Sequence, residues 1–195
     1  MFRRSWLKNV VVPMLAMVAT LSMLSYDAQA QLKPFKIKGE GVAQFGLPFP
    51  GQAARPHTVV GTATHLGKHH GVGSIQTNTV VPHPDGSITG TFGSGQPFVF
   101  TGANGDILSC NYGKSVSPSA HGTFTLIPVN ASAGVYMGIF VAEFVPISSA
   151  CTGKFEGVTG SWVMYAETEP FVLSSSNPVE YAWEGSGELN FKKGK

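Results

Sequence analysis

Residues 181–191 read Tyr-Ala-Trp-Glu-Gly-Ser-Gly-Glu-Leu-Asn-Phe and alternate between two kinds of side chain. Every second position from Tyr181 to Phe191 is aromatic, aliphatic or glycine, whereas the positions between them include the acidic Glu184 and Glu188. Successive side chains of a β-strand point to opposite faces of a sheet. The rhythm therefore predicts a strand with one buried face and one solvated face.

The same period of two recurs along the chain after residue 30, and glycine-rich turns separate the alternating stretches. In one of them Val59, Gly61, Ala63 and His65 share a face, so we expect His65 to point into the interior. Strands are predicted at 35–41, 58–65, 70–81, 86–91, 97–101, 106–111, 121–127, 135–145, 158–167 and 180–191.

The glycine content indicates how these strands are arranged. All 24 glycines lie after residue 30, and glycine inside strands relieves crowding where a sheet curls sharply. About eight short antiparallel strands with little helix form either a closed barrel or a sandwich. We predict an all-β fold, a single antiparallel eight-stranded β-barrel that occupies residues 31–195.

Residues 152–160 read Thr-Gly-Lys-Phe-Glu-Gly-Val-Thr-Gly and resemble the T-G-x-F-x-G-x-x-G segment of the allene oxide cyclase and dirigent proteins. The resemblance implies their calycin-like barrel and, as in those families, a trimer. In physical terms the segment is a turn whose glycines adopt positive φ while Phe155 anchors the hairpin. The families' catalytic residues have no match in this sequence, so their chemistry is not implied.

The first 30 residues have the three parts of a secretory signal peptide. A basic start with Arg3 and Arg4 precedes an apolar run at 10–24, and small residues follow. This run is interrupted by Pro13 and is shorter than the roughly 20 residues that span a bilayer. We predict cleavage after residue 30, no stable membrane span and a secreted or periplasmic protein. We expect the general secretory route, and the arginine pair makes the twin-arginine route the alternative.

The charge balance excludes one class of partner. Three of the 13 cationic residues and one of the 11 acidic residues lie in the leader, so the mature chain carries ten of each. A neutral chain lacks the excess of cations that drives binding to nucleic-acid phosphates. We therefore predict no nucleic-acid partner, and nothing in the sequence calls for a cofactor.

Cys110 and Cys151 are the two cysteines of the chain. Because exported proteins form disulfides in oxidising compartments, we predict one Cys110–Cys151 bridge; two buried thiols are the alternative.

Glu143 and His65 are the candidate catalytic residues. Glu143 lies in the stretch 135–145, whose two faces are both apolar, and burial on such a face would raise the pKa of its carboxyl. The alternative is a solvated Glu143 at the barrel rim. His65 is followed by His69 and His70, but their spacing straddles a predicted turn and no local acid completes a ligand shell. We predict no metal site.

Aromatic residues supply the candidate binding surface. An eight-stranded barrel has room for one small ligand or only for its own side chains. Aromatic residues therefore either fill the core or line an apolar pocket. The residues predicted to line such a pocket are Tyr136, Phe140, Phe144, Trp162 and Trp183.

These features together predict an exported β-barrel that binds a small, largely apolar molecule outside the cytoplasm. One alternative is an isomerase or cyclase that acts on a hydrophobic substrate, with Glu143 or His65 transferring a proton. Another is a structural, envelope-associated protein with a filled interior. The doubly apolar stretch 135–145 further predicts self-association into a homo-oligomer.

Overall fold

The computed structural model describes residues 31–44, 50, 54–94, 96–113, 122–173 and 177–192. The predicted signal peptide lies outside these residues. Two short 3-10 turns, Ala131–Ala133 and Gly153–Phe155, accompany the strands, and no helix in the described part of the chain could cross a membrane. The strands are β1 (Gln31–Gln44), β2 (Arg55–Ala63), β3 (Gly67–Pro82), β4 (Ile88–Gly93), β5 (Phe98–Gly102), β6 (Ile107–Tyr112), β7 (Gly122–Asn130), β8 (Val135–Pro146), β9 (Thr159–Thr168), β10 (Phe171–Val172) and β11 (Pro178–Phe191).

All the strands belong to one antiparallel sheet, which confirms the prediction of an all-β, antiparallel fold. Eight of them pair in a closed circuit, here called the strand ring, in the order β1-β11-β9-β8-β6-β5-β3-β2. The circuit closes because β2 pairs with both β1 and β3. Strands β4 and β7 connect the remaining parts of β3 and β8. Each predicted strand overlaps an observed one.

The longest pairing joins β1 to β11, from Gln31 opposite Phe191 to Gln44 opposite Pro178. The alternation predicted for β11 is confirmed, because Trp183 is buried whereas its neighbour Glu184 is exposed. The buried faces of the eight ring strands point into the strand ring, and we call this side the interior. The other side is the outer face.

Stacked aromatic side chains fill most of the interior. The ring centroids of Phe144 and Trp162 are 4.2 Å apart, and those of Phe98 and Phe100 are 4.4 Å apart. Glycine makes this packing feasible, because a Cβ built on Gly185 would lie 2.6 Å from the ring of Trp162. The high glycine content thus allows large rings to rest directly on neighbouring backbone.

The turn that contains residues 152–160 behaves as its sequence indicates. Gly153 and Gly157 have φ values of 59° and 70°, which side-chain-bearing residues rarely adopt. Phe155 is fully buried, and its ring centroid lies 5.6 Å from that of Phe191. The hairpin is therefore anchored by Phe155, as predicted.

The predicted disulfide is not formed, because Cys110 and Cys151 are both free, buried thiols. The Cys151 sulfur lies 3.4 Å from the amide nitrogen of Ser109 and 3.5 Å from its carbonyl oxygen. Burial raises the pKa of both thiols, and that of Cys110 lies well above its ordinary value. Since the thiolate is the reactive form, the fold disfavours disulfide exchange at either residue.

Candidate functional site

A cavity of about 30 Å³ lies inside the strand ring. The wall that it exposes is apolar. Its lining residues come from six strands and are His57, Val59, Ile75, Phe98, Phe100, Phe140, Phe144, Met164, Ala166, Tyr181 and Trp183.

The space arises from the strand register around Ala166. This residue lies opposite Phe140 on β8 and opposite Trp183 on β11. The small methyl side chain of Ala166 between Phe140 and Trp183 leaves space that these two rings do not fill. Met164 shares the inward face of β9 because it lies two residues from Ala166.

A buried histidine with two tyrosine partners stands beside the cavity. The His57 Nδ1 atom lies 2.9 Å from the hydroxyl oxygen of Tyr181, and His57 Nε2 lies 3.3 Å from that of Tyr112. Both tyrosine hydroxyls are thus bound to one imidazole. The Tyr112 hydroxyl also donates to the Ser74 carbonyl and accepts from the Ser74 amide at 2.8 Å.

These contacts determine the tautomer of His57. The single hydroxyl proton of Tyr112 goes to the Ser74 carbonyl, so towards His57 this hydroxyl can only accept. The proton of the neutral imidazole must therefore sit on Nε2, and Nδ1 accepts the hydroxyl proton of Tyr181. Both nitrogens are satisfied without any charge.

Burial keeps this network neutral. Loss of water lowers the pKa of His57 to about 4 and raises that of Tyr112 to about 12. The same cause, with a smaller contribution from Tyr112, raises the pKa of Tyr181. Since these polar atoms bind one another, they leave the cavity an apolar wall.

Three of the five predicted ligand-binding residues, Phe140, Phe144 and Trp183, line the cavity. Trp162 is not among the lining residues and packs behind Phe144. Tyr136 lies near the start of β8 on the face of Phe140, is half-buried against the hydrophobic core, and is not among the lining residues. The structure therefore separates these two residues from the other three.

Neither candidate catalytic residue lines the cavity. Glu143 is half-buried on the outer face of β8, opposite Val163. β2 ends at Ala63, and His65 follows in a turn with φ of 70°, so the alternation does not extend to this residue as predicted. The His65 ring lies 5.0 Å from that of Phe191.

His57 points inward, and the sequence did not lead us to predict this. It shares the inward face of Val59, so the period of two contained the signal. Pro56 directly precedes it, and proline is unusual inside strands, so the strand was predicted to start at residue 58, three residues too late. His57 is paired with Gly73 of β3 in the observed register.

His69 and His70 lie on opposite faces of β3, since His69 is buried and His70 exposed. They cannot share a metal ion with this geometry. Across the described residues, no cluster of three or more histidine, cysteine, aspartate or glutamate side chains is suited to hold a metal ion.

A larger hollow of about 730 Å³ is open to solvent on the outer face of β1, β2, β3, β9 and β11, and Gly39, Gly61, His69 and Trp183 also border it. Charged side chains, including Lys38, Glu40 and Glu184, form part of its wall. An apolar molecule would remain largely hydrated there, whereas the internal cavity removes it from water.

Comparison with protein-family models, curated proteins and solved structures finds no match to this chain. The fold and the cavity therefore carry the functional argument.

Proposed function

We propose that the protein is an exported, calycin-like β-barrel that binds a small, largely apolar molecule in its interior. The observation that carries this proposal is the apolar cavity lined by six strands of the strand ring. The polar atoms of His57 and Tyr181 at the edge of the cavity already have hydrogen-bond partners within the protein, so a ligand need not bind to them.

The volume of the cavity limits what can enter. Ligand pockets for drug-sized molecules measure about 300–1,000 Å³, whereas about 10–15 Å³ suffices for one water. At about 30 Å³, the cavity admits a larger ligand only when a wall side chain moves. Met164 is the adaptable part of the wall, since its unbranched side chain rotates about three bonds.

A structural, envelope-associated role is the second candidate. The aromatic packing around Phe98, Phe100, Phe144 and Trp162 favours it, because these rings occupy most of the interior. In that case the barrel is a filled scaffold, and no molecule recurs with the purified protein.

Native mass spectrometry of the exported protein distinguishes the two candidates. A recurring bound molecule supports the binding proposal, and its repeated absence supports the scaffold.

Benzene serves as a defined probe: Met164→Ala should tighten benzene binding by about tenfold, and Ala166→Val should weaken it similarly. Val163→Ala is the matched control, because Val163 lies on the outer face of the same strand and is 51 % exposed. Equal effects in all three variants contradict the cavity as the binding site.

Export and self-association complete the proposal. The mature protein recovered outside the cytoplasm should begin at Gln31, which an intact mass measurement tests.

The half-buried apolar outer face of β8 lies beside the exposed Val163 and Tyr165 and supports a homo-oligomer. Sedimentation at micromolar concentration measures the assembly, and a strict monomer contradicts it.

A further inference from the structure

Among the described residues, five buried side-chain nitrogen or oxygen atoms have no hydrogen-bond partner, and two of them lie on rings that contact each other edge to face. These two are Nε2 of His69 and the indole nitrogen of Trp183. His69 and Trp183 are only 6 % and 5 % exposed, so bulk water does not satisfy these atoms. An unsatisfied buried polar atom is costly, and such atoms often mark the place of a missing partner.

The two side chains face each other across a pair of glycines. His69 lies opposite Gly61, Gly61 opposite Gly39, and Gly39 opposite Trp183 in one row of the sheet. No side chain projects from the two glycines between them. The two rings meet edge to face above these glycines, with their centroids 6.0 Å apart.

The hydrogen-bonding characters of the two atoms are complementary. His69 Nδ1 lies 3.4 Å from the Gly67 carbonyl oxygen, which can only accept, so Nδ1 carries the proton and Nε2 is an acceptor. Burial lowers the pKa of His69 and so favours the neutral ring. The indole nitrogen of Trp183 can only donate. A hydroxyl group satisfies both atoms, since it donates one hydrogen bond and accepts another.

We infer that His69 and Trp183 bind the hydroxyl group of the ligand, which is therefore a small apolar molecule that carries one hydroxyl. The inference rests on the proposed function, because Trp183 and Phe100 belong both to the cavity wall and to the surroundings of His69. The apolar part of the ligand occupies the cavity, and its hydroxyl reaches the two ring nitrogens when the His69 and Trp183 rings move apart.

Phenol and benzene test this inference, since they differ by one hydroxyl group. The purified mature protein should bind phenol at least about tenfold more tightly than benzene, as measured by calorimetry or by titration followed by nuclear magnetic resonance. Trp183→Phe and His69→Phe should each reduce this preference to about twofold or less. Tyr165→Phe and His83→Ala are the controls, because Tyr165 and His83 are exposed and neither lines the cavity. Both should keep the preference.

The indole N–H resonance of Trp183 gives a second readout that does not depend on the variants folding. It should move downfield when phenol binds and stay in place when benzene binds. Equal affinities for phenol and benzene overturn the inference and leave the proposed cavity intact. A bridging water that persists in the presence of phenol also overturns it. Failure to bind either probe refutes the proposed function and the inference together.

Discussion

The His57 Nδ1 atom lies 2.9 Å from the Tyr181 hydroxyl oxygen, although the two residues are 124 positions apart in the chain. This hydrogen bond joins β2 to β11 across the interior of the strand ring. Because the bond is buried and His57 is neutral in it, the free energy of unfolding should depend on pH through His57.

Lowering the pH should destabilise the protein through His57. Its pKa is about 4 in the folded state and about 6.5 when unfolded, so between these values the unfolded chain binds more protons. The contribution is fully present above pH 6.5 and is lost as the pH falls through 4, at a cost of roughly 3 kcal/mol. Chemical denaturation between pH 7 and 4 measures it. His57→Gln should flatten this slope, with a residual slope from the lowered pKa values of His65 and His69.

Tyr181→Phe should destabilise the fold by about 1–3 kcal/mol, because it leaves the acceptor nitrogen of His57 buried without a donor. Tyr165→Phe is the control, since Tyr165 lies on the outer face and is 41 % exposed. Its effect should stay within about 0.5 kcal/mol. Equal unfolding free energies of the two variants in urea would contradict the hydrogen bond assigned to Tyr181.

Phe144→Ala should cost about 3–5 kcal/mol, because it removes a buried ring from the centre of the aromatic packing. Phe144 stacks against Trp162 and also against Tyr112, at 4.9 Å between centroids. Val163→Ala, on the outer face, should cost less than about 1 kcal/mol. Thermal unfolding of both variants checks the difference, and similar midpoints would show that the interior is loosely packed.

Gly187→Ala should destabilise the protein by about 2–3 kcal/mol, because the new Cβ would lie 2.3 Å from the Ser161 carbonyl oxygen. Relief requires the backbones of β9 and β11 to move apart. Ser186→Ala, one residue earlier and exposed on the outer face, should be nearly neutral. Hydrogen exchange of the β9 and β11 amides should rise in Gly187→Ala alone; unchanged exchange there contradicts the close approach.

The thiols of Cys110 and Cys151 should be unreactive in the folded protein and react fully after unfolding without reductant. Both are buried with raised pKa values, so the reactive thiolate is scarce. A thiol-specific chromogenic reagent measures the number of reactive thiols before and after unfolding. A mass two units lower than that of the reduced chain would instead reveal a disulfide.

The alternation of buried and exposed side chains along most strands could be predicted from the sequence. The burial of Trp183 and the exposure of Glu184 follow from backbone geometry, because neighbouring residues of a strand must face opposite sides. The alternation did not predict the end of β2 before His65, since a strand can end where its side-chain pattern continues. It missed His57 because a proline lies just before the inward-facing position.

The sequence by itself determined that the chain is built from antiparallel strands, which face of most strands is buried, and that residues 152–160 form a glycine turn anchored by Phe155. Only the tertiary structure decided which buried faces meet. The contact of His57 with Tyr112 and Tyr181, the gap at Ala166 and the separation of Glu143 from the interior all depend on strand register. Register is set by pairings between strands that are distant in the chain, and a local period of two carries no information about such pairings.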